Sequence, residues 1–240
     1  MTFRLPREHA LPLVLAFAAG YVEAICFTGL FHTFTTFITG TLLVLVIEFV
    51  NGQTGYINKA VVFVSFFALT LLWIYIFKTW RWRADLLKPA ALSAEAILIA
   101  VFAAVGATLE PLKSAGGPNT LIVSVVAVFA MSLHSTIFFV LLNKFAPTHF
   151  MTGNLTNFSV GAVDLLRRAQ TSVDLDRDAL QQARFKVWHF PTVIGSFILG
   201  VALGSAAFMA AGFIVLMVPA AVLATAAGLS YWAEADSVQA

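Results

Sequence analysis

The sequence predicts an all-α integral membrane protein with six transmembrane helices and two short re-entrant or half-helical segments, arranged as an inverted three-plus-three repeat. Three observations lead there. The first is composition: of 240 residues, 60% are hydrophobic and 11% charged, with a mean hydropathy of +0.90, whereas a soluble domain carries roughly a quarter charged residues. The second is continuity. Apolar residues come in long runs over Ala10–Phe31, Ile57–Phe77, Pro89–Leu109, Thr120–Leu142, Val187–Met209 and Ala211–Trp232, each long enough to cross a hydrocarbon core of about 30 Å as a helix. The third is an internal echo: Ala19-Gly20-Tyr21-Val22-Glu23-Ala24 before Ile38-Thr39-Gly40-Thr41, and Met131-Ser132-Leu133-His134-Ser135-Thr136 before Met151-Thr152-Gly153-Asn154.

The first run follows Arg4 and Arg7, so cleavage near Ala18 is an alternative to a retained helix. Its length and its continuation through Glu23 favour the helix. Two further segments are ambiguous. Phe34–Val50 is apolar but short, and Thr148–Leu165 carries Thr152, Gly153, Asn154, Thr156, Asn157, Ser159 and Gly161.

Charge bias arbitrates, because cytoplasmic loops collect Lys and Arg. With six crossings and a cytoplasmic N-terminus, twelve of the fourteen basic residues lie inside, leaving Lys59 and Lys113 outside; with eight crossings the split is nine to five. Six crossings place both termini in the cytoplasm and make the chain one polytopic domain with repeats at about 10–110 and 120–232. The first repeat then starts inside and the second outside, so they are antiparallel about an axis in the membrane plane.

Within this frame Glu23 lies thirteen residues into its helix, roughly 20 Å from the start. A carboxylate at that depth normally faces a cavity, a partner or a proton path; the plainer alternative is a protonated, hydrogen-bonded packing residue. His134 sits at the equivalent depth, and the two are expected to meet as a proton-responsive pair, against the alternative of an interhelical packing histidine. Threonine at a helix start and glycine beside it suit half-helices ending in mid-membrane, whose free N–H groups favour an anion or carboxylate. The expected site is therefore Tyr21, Glu23, Thr39, Gly40, Thr41, His134, Ser135, Thr152, Gly153 and Asn154, with Asn157 as a further donor.

Other polar residues have plainer expectations. Glu48 and Asp164 close the two short segments and read as interfacial charges. Glu95 is expected to reach Lys88 or Arg83. His32 and His149 read as interfacial, Asp174, Asp176 and Asp178 as a solvated linker, and Cys26 as packing. Small residues at every fourth position, Ser196-Gly200-Gly204 and Ala96-Ala100-Ala104, read as close helix contacts. Trp73, Trp80, Trp82, Trp188 and Trp232 suit an aromatic belt.

The net charge of +2 follows from membrane topology and points to no nucleic-acid partner. No nucleotide loop, metal motif or nucleophile elbow is present, so no cofactor, metal or enzymatic activity is expected.

Ala-Gly-Tyr-Val-Glu-Ala at 19–24, Ile-Thr-Gly-Thr at 38–41 and Met-Thr-Gly-Asn-Leu-Thr at 151–156 resemble the YoaK family of bacterial inner-membrane proteins over nearly the whole chain. Glu23 takes that family's aspartate position, Thr41 replaces an asparagine, and His134 and Ser135 replace a Gln-Asn pair. The resemblance implies six helices and a bacterial inner membrane, with no settled substrate. The expected function is a small secondary transporter or channel for a small solute, an anion or carboxylate by helix-end chemistry, proton-coupled through Glu23 and His134. The alternative is a non-transporting scaffold or sensor with a polar packing core. The lipid bilayer is a partner in both, and homo-oligomerisation stays open.

Overall fold

Long apolar runs leave the backbone no competing partner but itself, and helices result. In the computed structural model the described residues are 10–79, 84–142, 151–171 and 177–239. They form α1 (Ala10–Gly29), α2 (Ile38–Val50), α3 (Tyr56–Thr79), α4 (Ala84–Leu109), α5 (Pro118–Thr136), α6 (Met151–Thr171), α7 (Arg177–Ala211) and α8 (Met217–Gln239). Among the residues weighed above, Arg4, Arg7, Trp80, Arg81, Trp82, Arg83, Lys144, Thr148, His149, Asp174 and Asp176 lie outside the described residues.

Among the described residues five helical stretches are long and apolar enough to cross a membrane: Ala10–Gly29, Tyr56–Thr79, Leu86–Leu109, Pro118–Leu141 and Asp178–Trp232. The last, of 55 residues, joins α7 and α8 through a 3₁₀ turn at Gly212–Leu216, where Gly212 has φ +65°. The outer surface is as apolar as the core. Val64 and Phe67 on α3 are 63% and 66% exposed, which suits lipid and not water.

The helix contacts follow from small residues. A Cβ on Gly20 would lie 2.2 Å from the Phe197 carbonyl oxygen, and one on Gly200 equally close to that of Phe17. With Ser196 Oγ donating to the Leu13 carbonyl at 2.7 Å and Gly204 against Tyr21, α1 and α7 run side by side in parallel. The Ser196-Gly200-Gly204 series is thus this contact. On α4 the buried face is Leu92, Ala96, Ile99, Ala103 and Gly106, while Ala104 is exposed. A strict every-fourth series drifts around a helix of 3.6 residues per turn, and the interface follows the helix. Gly106 receives the Phe213 ring, from which α8 runs back along α4. The other neighbours include α3 with α5, α4 with α5, α1 with α8, α1 with α5, α2 with α3 and α6 with α7.

The segment read as a linker is helical from Arg177, ten residues before the apolar run begins at Val187. Leu180, Ala183 and Val187 share one face, and Gly161 of α6 packs against Ala183, Lys186 and Val187.

Two departures from regular helix matter for the site. Phe31 and His32, after α1, have φ of 54° and 59°, a left-handed conformation costing of the order of 1–3 kcal/mol for each non-glycine residue. After α5 the backbone widens into a π-helical turn at Ile137–Leu141, a feature frequent beside functional side chains.

Candidate functional site

α1 rises to Gly29, and the left-handed turn at Phe31–His32 sends the chain back down beside it. Thr35 and Thr36 arrive at the level of Glu23, six residues back from the helix end. There the Glu23 carboxylate accepts the Thr35 N–H at 3.1 and 3.2 Å and the Thr35 hydroxyl at 3.2 Å. The Thr36 N–H and hydroxyl also donate to its Oε1. Thr41 fixes this loop: its hydroxyl donates to the Phe34 carbonyl at 2.6 Å and accepts the Phe34 N–H at 3.0 Å. Every bond into the carboxylate comes from a donor, which matches an acceptor-only group. The first half therefore builds a cradle of donors ahead of a helix start, and the carboxyl group in it is the chain's own.

α2 then climbs back to the end where α1 finished. Its Glu48 meets Lys59 of α3 at 2.9 Å, and the Lys59 ammonium also donates to the Phe31 carbonyl at 2.6 Å. Lys59 is fully buried. Beside it Asn58 Nδ2 donates to Thr33 Oγ1 at 3.0 Å. One ammonium thus ties α2, α3 and the strained turn together. Gly55 lets the backbone close over Glu48, since a Cβ there would lie 2.5 Å from Glu48 Oε2.

A second buried pair of ionisable side chains lies between α4 and α5. His134 Nδ1 and Glu95 Oε1 are 2.7 Å apart, and both side chains are 0% accessible. Glu95 Oε2 and the neighbouring Ser135 Oγ have no hydrogen-bond partner among the described residues. The ring of His134 also packs on Phe138, at the start of the π-helical turn (centroids 5.6 Å apart).

The structure distributes the expected site residues unevenly. Glu23 and His134 each have their own partner, and Glu95, expected to reach Lys88 or Arg83, is the buried partner of His134. Tyr21 is buried in the α1–α7 contact with its ring on Phe17. Thr39 is exposed in the first turn of α2, whose N-cap position is Phe37 with no side-chain bond. Gly40 lies under the rings of Phe34 and Phe37. Thr152 and Gly153 are exposed, while Asn154 is buried with Nδ2 3.8 Å from Met151 Sδ. An open cleft of about 460 Å³ lies elsewhere, lined by Thr28, Gly29, Phe31, Glu110, Phe208 and Phe213 among others.

Sequence reasoning missed Thr33, Thr35, Thr36, Asn58 and Lys59. The signal was present: three threonines in four residues between apolar segments, and a lysine three residues into an apolar run. Lys59 was weighed only as a topological charge, and Glu95 only as a neighbour of the basic loop.

Comparison with curated proteins finds no match, and comparison with solved structures finds none either. A family model described as a protein of unknown function, DUF1275, matches residues 11–229. That family includes the YoaK proteins whose motifs the sequence resembles. This multi-helical, membrane-type chain belongs to the DUF1275 family.

Proposed function

We propose that the protein is a small secondary transporter of a bacterial inner membrane, built as an inverted three-plus-three repeat with both termini cytoplasmic. The observation that carries this reading is the pairing of helices. If α1 to α4 correspond to α5 to α8, then α1 with α7 answers to α3 with α5. Likewise α2 with α3 answers to α6 with α7, and α4 with α5 to α8 with α1, while α4 with α8 is its own counterpart. A pseudo-two-fold axis requires this reciprocity, and a bundle without one has no reason to keep it. The sixth crossing comes from the stretch Asp178–Trp232, which at about 1.5 Å per residue is roughly 80 Å long and must cross twice. α2 is the re-entrant element, starting beside Glu23 and finishing beside Phe31 at the end it came from.

The coupling group is the His134–Glu95 pair. A fully buried carboxylate with one spare oxygen, facing an imidazole across 2.7 Å, can pass between a neutral and an ionic form by moving one proton. The anion expectation weakens in the first half, because Glu23 already fills the N–H donors there.

Glu23's saturation is the observation that favours a second reading, a non-transporting scaffold whose polar core specifies packing. Proteoliposomes with trapped pyranine separate the two. Under transport, an inward gradient of acetate, phosphate, methylammonium or glucose drives proton movement above that of protein-free liposomes for at least one solute, and Glu95→Gln abolishes that excess. Excess proton movement for none of the four overturns proton-coupled transport of these solute classes and favours the scaffold.

A further inference from the structure

The proposed axis pairs more than helices; it pairs charges, and the two sides are in different states. Lys59 opens α3 four residues before Phe63, and Lys186 stands on α7 four residues before Phe190. Each lysine lies where its helix meets the helix preceding it: Lys59 against the 13-residue α2, Lys186 against the 21-residue α6. The acids also correspond. Glu48 follows Gly40 by eight residues, and Asp164 follows Gly153 by eleven, a difference of one helical turn that keeps both on the facing side. A Cβ on Gly161 would lie 2.7 Å from Lys186 Cβ, so the α6 backbone is in contact there. Asp164 lies three residues further along, on the same face.

The first pair is closed, at 2.9 Å with Lys59 fully buried. Among the described residues no ion pair joins Asp164 to Lys186, although both are half-buried and less than two turns apart along the α6–α7 contact.

Resting on the inverted-repeat transporter reading, we propose that Lys186 and Asp164 are the second gate. They pair when Lys59 and Glu48 part, and the two pairs make and break reciprocally as the protein alternates. An inverted repeat reaches its opposite state by exchanging the conformations of its halves, so a latch closed in one half implies the same latch open in the other. The lysine at each site is long enough to shift its ammonium by a helical turn without unwinding its helix. A ligand or proton that favours one state then changes both pairs together.

The test is cysteine crosslinking of the full chain in membranes, in a Cys26→Ala background. Asp164→Cys with Lys186→Cys reports the second gate through a short bis-methanethiosulfonate reagent. Adding Glu48→Gln, which weakens the first pair while keeping an acceptor for Lys59, is expected to raise the crosslinking rate several-fold. The reverse measurement does not depend on how Glu48→Gln folds. Asp164→Asn, introduced beside Glu48→Cys and Lys59→Cys, is expected to raise crosslinking of the first pair. An unchanged rate in either measurement overturns the reciprocal gate. Unchanged rates with solute-driven proton flux intact overturn this inference alone. Reciprocal rates with no flux overturn the transport reading and leave the two gates standing.

Discussion

Glu23 and Glu95 are carboxylates buried in helices of one bundle, and the chain treats them in opposite ways. Glu23 is enclosed by a loop that bends back through two left-handed residues to bring it the N–H and hydroxyl groups of Thr35 and Thr36. Glu95 receives one imidazole nitrogen and keeps an oxygen with no partner among the described residues. A buried charge held by several oriented donors is fixed in place, and its removal orphans those donors. A buried acid with one imidazole partner and a spare oxygen is held less completely, and its removal orphans fewer groups. Under the proposed transport reading, the coupling acid is the one whose hydrogen bonding is less complete, not the one the loop encloses.

Breaking the first-half loop and the lysine that ties it down produces the largest effects. Lys59→Met removes the ammonium that holds Glu48 and the Phe31 carbonyl, and loss of one partner from a buried pair costs about 3–5 kcal/mol. Thermal unfolding in detergent is expected to show a large drop in Tm, partly recovered by adding Glu48→Gln. If the single variant unfolds like the parent, the tie between α2, α3 and the turn contributes nothing.

Glu23→Gln comes next. The structure turns an amide NH₂ towards groups that already donate, and an orphaned buried donor costs about 1–3 kcal/mol. Chemical denaturation is expected to show that loss; a stability equal to the parent's contradicts the donor arrangement at Thr35 and Thr36.

Thr41→Val removes both bonds to Phe34 while nearly keeping side-chain volume, and is expected to cost about 1–2 kcal/mol by the same measurement. It separates the loop's own support from the contribution of Glu23, whose carboxylate it leaves untouched.

Glu95→Gln completes the comparison with the smallest stability change, about 1 kcal/mol, since an amide oxygen still accepts from His134. Its effect belongs in function: solute-driven proton flux is expected to be abolished while the protein stays folded. A Glu95→Gln protein as unstable as Glu23→Gln, with flux retained, reverses the assignment of the two acids.

The helices were legible in the sequence because they follow from composition and run length alone. Ala10–Phe31 became Ala10–Gly29, and Ile57–Phe77 became Tyr56–Thr79. The depth of Glu23 was legible for the same reason, as was the close contact at Ser196, Gly200 and Gly204, where small residues at helical spacing have few other uses. Partners were not legible. Glu95 lies 39 residues from His134, Lys59 lies 28 from Phe31, and Ser196 lies 183 from Leu13. No local pattern encodes which helix faces which.

The first Thr-Gly element makes the division plain. Its residues fixed by themselves that a short apolar helix follows a polar turn, since chain stiffness and burial act within a few residues. Only the tertiary structure decided that Thr39 faces outward, that Thr41 clamps Phe34, and that Thr35 and Thr36 take the role in the cradle. That choice depends on the loop folding back by six residues along α1, a property of three-dimensional packing in which a buried carboxylate must find donors wherever the chain can bring them.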